Sequence, residues 1–269
     1  MSAHARMRAI VAVTAVAAAA VVAGVVYATR QDPPQPRTLC KKPAVQVVPG
    51  VSSPHLQAVR DAFAKGPKSA ARALEPLADR HPKDPVVQYN DATALLCAGY
   101  VADATAAYRL AKKAGRNTYY EVRADNLLHP QYFGDGYPIF QYTGMDPLLV
   151  QGQIAQRQFH QHTAERLYAK AARLHPEDAD AQVAAAVGRF DMDDLNATFS
   201  RLGPLVKRFP RSQTVRFHLG WLLAWTGQGT LAIKEFREAR RLGATTTLGK
   251  EANAFLTRLE SGGTHGTQR

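Results

Sequence analysis

Two histidines fall close together in Phe159-His160-Gln161-His162. Their i, i+2 spacing supplies two imidazoles where a zinc site needs three or four ligands, so a solvated turn is expected there and not a metal centre. Asp191, Asp193 and Asp194 form a short acidic run. A calcium loop needs a longer series of oxygen ligands and a glycine at its sharp turn, so calcium is not indicated. Cys40 and Cys97 are the two cysteines. They suit either a disulfide in an oxidising compartment or two free thiols with Cys97 packed or lining a groove. Asn196-Ala197-Thr198 matches a glycosylation acceptor, but Ala197 and Thr198 fall on helix-packing positions, which argues against its use. The chain has no phosphate-cradling Gly loop, no GxSxG, no HExxH and no CxxC. The expectation is therefore a non-enzyme, with no catalytic residue, no metal and no cofactor.

The formal net charge is +12. Much of it is local, because residues 1–42 hold Arg6, Arg8, Arg30, Arg37, Lys41 and Lys42 against Asp32 alone. That basic flank surrounds an uncharged run, Ala9 to Thr29, of 21 residues. At about 1.5 Å per residue the run spans a hydrocarbon core of about 30 Å. Basic residues beside an apolar segment point to lipid headgroups, and no recognition motif supports nucleic acid. The run reads as a single-pass anchor. Val26-Tyr27-Ala28 also resembles a signal-cleavage pattern. An N-in orientation would place the rest of the chain outside the cytoplasm, although the basic flank after the run opposes it. Residues 30–53, with Pro33, Pro34, Pro36, Pro43 and Pro49, lack a helical period and are predicted to be a semi-extended spacer.

Beyond the spacer a pattern recurs every 34 residues. Its clearest copy reads Leu219-Gly220, Leu223, Gly227, Ala232, Phe236, Ala239 and Ala244. Pro176 and Pro210 mark the same position one period apart. A fixed period of this size implies stacked helical units. Each unit opens on Asp or Ser, often followed by Pro, as in Asp84-Pro85 and Asp146-Pro147. Those are helix-starting residues. Gly99 and Gly227 suit the turn inside a unit. A small Ala or Thr on the second helix lets helices approach, and Tyr108, Tyr168 or Phe236 fills the space beside it. His81 and His175 stand just before the closing Pro, where an imidazole can interact with a helix C-terminus.

These motifs resemble the tetratricopeptide repeat (TPR) family over residues 54–244. The family's Trp is missing from every unit, and Asp193 stands where Gly is usual. The resemblance implies an all-α fold: a right-handed TPR-like α-solenoid of about five helix pairs, with one N-terminal transmembrane helix before it. Units one and two cover residues 54–116, and units three to five cover 146–244. A capping helix is expected over 245–260, with Ala252, Phe255, Leu256 and Leu259 on one face, and a disordered tail over 261–269. In that family the first helix of each unit lines a concave groove. Carried over, this puts Phe217, Trp221 and Trp225 on one stripe in unit five. Unit two would present Tyr89, Thr93, Leu96 and Cys97, unit three Leu149, Gln153, Gln156 and Arg157, and unit four Val183, Val187 and Phe190. The implied partner is a protein or peptide client with apolar or aromatic anchors.

The unit ends fall at 82, 116, 176, 210 and 244, so one step is 26 residues too long. The extra residues belong to the insertion at 117–145. Its first part, Tyr119–Leu128, suits a helix ended before Pro130. The remainder is broken by Gly and Pro and carries Tyr132, Phe133, Tyr137, Phe140 and Tyr142. These rings either fill the solenoid's inner surface or form part of a binding site. Two functional expectations result. One is a membrane-anchored scaffold for a protein or peptide in envelope assembly. The other is an accessory subunit that takes a glycan or lipid through the aromatic insertion and groove.

Overall fold

The structure is a computed structural model and describes residues 36–41, 43–130 and 137–264. The predicted anchor at 9–29, its basic flank at 1–8, Tyr132, Phe133 and residues 265–269 lie outside the described residues. Among those described, no helix is long and apolar enough to cross a membrane.

The described residues form helices and no strand, so the fold is all-α. The helices are α1 Pro36–Lys41, α2 Leu56–Phe63, α3 Pro67–Arg80, α4 Pro85–Ala98, α5 Val101–Ala114 and α6 Tyr119–Leu128. They continue as α7 Pro147–Arg157, α8 Gln161–Leu174, α9 Ala179–Gly188, α10 Leu195–Leu202, α11 Leu205–Arg208, α12 Gln213–Trp225, α13 Gly229–Leu242 and α14 Thr247–Thr264. The helix expected over Tyr119–Leu128 is present as α6. The C-terminal helix runs past 260, into the stretch read as a tail.

The starts are where the side chains dictate. Asp84 accepts hydrogen bonds from the Val86 and Val87 amides, and Asp146 from those of Leu148 and Leu149. Ser212 accepts one from Val215. Each cap satisfies amides that a helix start leaves unpaired, which is worth about 1 kcal/mol. The turns inside units two and five pass through a left-handed residue, and Gly99 (φ 92°) and Gly227 (φ 79°) supply it. In unit three the same register position holds Phe159, forced to φ 62°. Its ring lies 4.1 Å from that of Tyr119 in the insertion helix, so a side chain was kept where the backbone prefers glycine.

Consecutive helices pack from α2 through α6 and again from α7 through α14. In units three and five the aromatic of the second helix lies over a glycine of the first. A Cβ on Gly152 would meet Tyr168 at 2.2 Å, and one on Gly220 would meet Phe236 at 3.0 Å. This is the physical content of the Gly–aromatic part of the 34-residue pattern: backbone approaches ring, and no side chain fits between.

The two halves are joined largely through the insertion. Asn117 accepts from the His162 and Thr163 amides, 3.1 and 3.3 Å away, and so caps α8 from outside its own unit. His162 pairs with Glu121 at 2.9 Å. The histidine-containing turn is thus a structural joint, with only His160 exposed. Thr198 of the glycosylation-like triplet is buried, consistent with its reading as a packing residue.

Candidate functional site

Two extended stretches of the chain lie across the helices, held by side chains that bind their backbones. The first is the segment the sequence predicts to be a spacer. It does not stand off the fold: Val48 is buried among Val86, Tyr89 and Tyr120. Asn90, in α4, is fully buried. Its Oδ1 accepts from the Gln46 amide at 2.6 Å and its Nδ2 donates to the Gln46 carbonyl at 2.9 Å. The Tyr120 hydroxyl donates to the same carbonyl at 2.9 Å and accepts from the Val48 amide at 3.2 Å. Arg123 reaches the Gln46 side-chain oxygen. Just upstream, Cys40 and Cys97 form a disulfide. The pairing left open by the sequence is thereby resolved, and α1 is stapled to the C-terminal turn of α4.

The second stretch is Tyr137–Tyr142. Gln156 is buried and central: its Oε1 accepts from the Phe140 amide at 2.9 Å and from the Tyr168 hydroxyl at 3.0 Å. Gln153, one turn earlier on α7, donates to the Phe140 carbonyl at 3.0 Å. His218 of α12 accepts from the Gln141 amide through Nε2 at 2.8 Å, and its Nδ1 sits 2.8 Å from the Thr214 carbonyl. That carbonyl can only accept, so the proton is on Nδ1 and the ring is neutral. Burial pushes His218 down to about 4, against the upward pull of the Thr214 carbonyl. Phe140 is fully buried, its ring 5.5 Å from Tyr168 and 5.0 Å from His218.

A polar cluster fastens the start of this stretch. The Tyr137 hydroxyl donates to Asp125 at 2.8 Å. Lys112 lies 2.8 Å from Asp125 and 2.7 Å from Asp193, and His129 also contacts both carboxylates. Burial pushes the Asp125 carboxyl up, but hydrogen bonds from His129 and Lys112 outweigh it and hold the group below the usual carboxylate range. Asp125, His129 and Asp193 converge as three metal ligands would. The Lys112 ammonium bridges the two carboxylates, however, and already supplies the positive charge they call for.

The residues expected to line the groove are distributed between core and surface. Tyr89, Leu149, Phe190, Phe217 and Trp225 are buried. Leu96 and Trp221 are half-buried, and Arg157 is exposed. The i, i+4, i+8 stripe of α12 divides among neighbours: Phe217 packs with Phe236 and Phe255, whereas Trp225 packs edge-on against Phe190, 5.0 Å away. Trp221 lies between them and lines a small void with Pro138, Phe190 and His218. In the insertion, Tyr137 and Tyr142 are half-buried and Phe140 is core. Gln153 and Gln156, expected in the groove, grip the chain's own backbone. Asn90, Tyr120 and His218, which hold the two stretches, were not among the expected site residues. Their only sequence signal is a polar group on an otherwise apolar helix face. No protein-family model matches this chain, and no curated protein matches it.

Proposed function

We propose that this chain is a membrane-anchored, TPR-like α-solenoid scaffold that binds a protein or peptide client as an extended segment, in an envelope assembly process. The observation that carries the reading is the pair of extended self-segments. Asn90, Tyr120, Gln153, Gln156 and His218 bind main-chain N–H and C=O groups, which every polypeptide has. A surface built to hold extended backbone is what a peptide scaffold requires. The 34-residue period, the unit-by-unit packing and the Gly–aromatic contacts support the solenoid. The Cys40–Cys97 disulfide supports a place outside the cytoplasm, since such bonds persist in oxidising compartments. The uncharged run at 9–29 supports the anchor. The glycan or lipid alternative needs free aromatic faces, and among the described residues Phe140 is spent on packing.

Trp221 is the half-buried member of the expected stripe, and it supplies the test. A photo-crosslinking residue placed at Trp221 in native membranes should trap a client. The same residue at exposed Leu174 should not. Equal crosslinking at both positions, or none at Trp221, defeats the reading. A C-terminal reporter fusion active only in the cytoplasm would overturn the orientation.

A further inference from the structure

We propose that the trough now filled by residues 45–48 is a client site for an extended peptide bearing a carboxylate side chain opposite Arg123, and that the strap is its built-in competitor, kept in place by the Cys40–Cys97 bridge. The inference rests on the scaffold reading above and names the chemistry of its partner.

Without the strap, Asn90 Oδ1 and the Tyr120 hydroxyl lose their partners beside a largely apolar wall that includes Val86, Tyr89 and Ala124. Unpaired polar atoms in such a place are costly, so the trough demands a replacement. The replacement must offer an N–H and a C=O from one residue and a further N–H two residues on, as Gln46 and Val48 do. An extended chain presents those groups, whereas a helix has already consumed them internally. This part of the recognition is blind to sequence.

Selectivity comes from Arg123. The rings of Tyr89 and Tyr119 hold its guanidinium, with centroids 5.3 and 5.7 Å away. It has no carboxylate partner among the described residues: its side chain meets only neutral acceptors, the Tyr89 hydroxyl and the Gln46 amide. A Glu or Asp at that position would replace an amide acceptor with a charged one, and charge-assisted bonds are roughly twice as strong. The strap is thus a serviceable occupant and not the best one. It keeps its place through tethering: the bridge holds one end and the chain entering α2 holds the other. A tethered segment competes at a high effective concentration, and freeing one end lowers it.

The test uses the full-length chain in detergent and two labelled peptides, Ala-Val-Glu-Val-Val-Pro and its Gln counterpart, read by fluorescence anisotropy. Cys40→Ser should bind the Glu peptide with a Kd at least about tenfold below that of the bridged wild type. In that background Glu should be preferred to Gln by about fivefold or more, and Arg123→Gln should erase the preference. Equal affinity for the two peptides, or no gain on removing the bridge, overturns the proposal. Should Cys40→Ser fail to fold by circular dichroism, Gln46→Pro in the bridged protein makes the same test. It deletes the amide given to Asn90, and an unchanged Kd there is equally fatal. Peptides that fail to bind while Trp221 still crosslinks a client sink this site alone. Failure of both sinks the scaffold reading as well.

Discussion

Phe140→Ala measures how firmly the second self-segment belongs to the fold. Phe140 sits in a stretch without helical or strand hydrogen bonding, where a substitution would ordinarily cost no more than about 0.5 kcal/mol. Its burial says otherwise. The ring is 0% exposed and packs against Leu149, Tyr168 and His218. A phenyl side chain removes on the order of 150–250 Å² from water, and truncation to Ala in a core costs about 3–5 kcal/mol. The edge-on contact with Tyr168 puts the expectation in the upper part of that range, because such pairs add about 0.5–1.5 kcal/mol. With a urea dependence of about 2–3 kcal/mol per molar, the unfolding midpoint should fall by more than about 1 M. Urea titration followed by far-UV circular dichroism reads this directly. Hydrogen exchange should also show faster exchange of the Phe140 and Gln141 amides, whose acceptors are Gln156 and His218. A loss below about 1 kcal/mol, with unchanged exchange at those amides, would refute the claim that the segment is a core element.

Two buried groups should give stability opposite pH dependences. Burial, then the charges of Glu75 and Asp79, push Asp91 up to about 7. The folded state therefore keeps a proton the unfolded chain releases, and this contribution falls by up to about 4 kcal/mol as pH rises from about 4 to 7. His218, pushed down to about 4, acts in the other sense: its contribution is lost, by about 3 kcal/mol, as pH falls from about 6.5 to 4. Asp91→Asn, which mimics the protonated carboxyl, should match wild type near pH 4 and exceed it in stability by up to about 4 kcal/mol above pH 7, and a pH profile identical to that of wild type would contradict the Asp91 assignment. Gly152→Ala should destabilise by about 1–3 kcal/mol, because its Cβ would meet the buried Tyr168 ring at 2.2 Å. A neutral thermal-melt result would show that the ring can move aside.

The local grammar of the helices was legible from the chain alone. Asp84-Pro85, Asp146-Pro147, Gly99 and Gly227 act as their chemistry dictates, because a cap or a turn involves a few neighbouring residues. The helix at Tyr119–Leu128 was legible for the same reason. What the helices face was less so. Phe217 and Trp225 share a helix face by spacing, yet they enter different packing clusters because the adjoining helices differ. Gln46 reads as part of a polar, proline-broken spacer. Its partners Asn90, Tyr120 and Arg123 are 44 to 77 residues away, and no local pattern reports a hydrogen bond at that range. Asp193 reads as a poor glycine substitute in a repeat. Its pairing with Lys112, 81 residues distant, gives it a separate reason to be there.

The Cys40–Cys97 bridge also decides how the fold bears load. Tension applied upstream of Cys40 passes through the sulfur bridge directly to α4 and bypasses α2 and α3, which lie within the covalent loop. The 57-residue separation hides roughly 200 Å of contour length from a pulling force, at about 3.5 Å per residue. In a force spectrum the bridged protein should extend by that much less than its reduced form. The first helices can thus stay folded under a tug that would otherwise peel them away one after another.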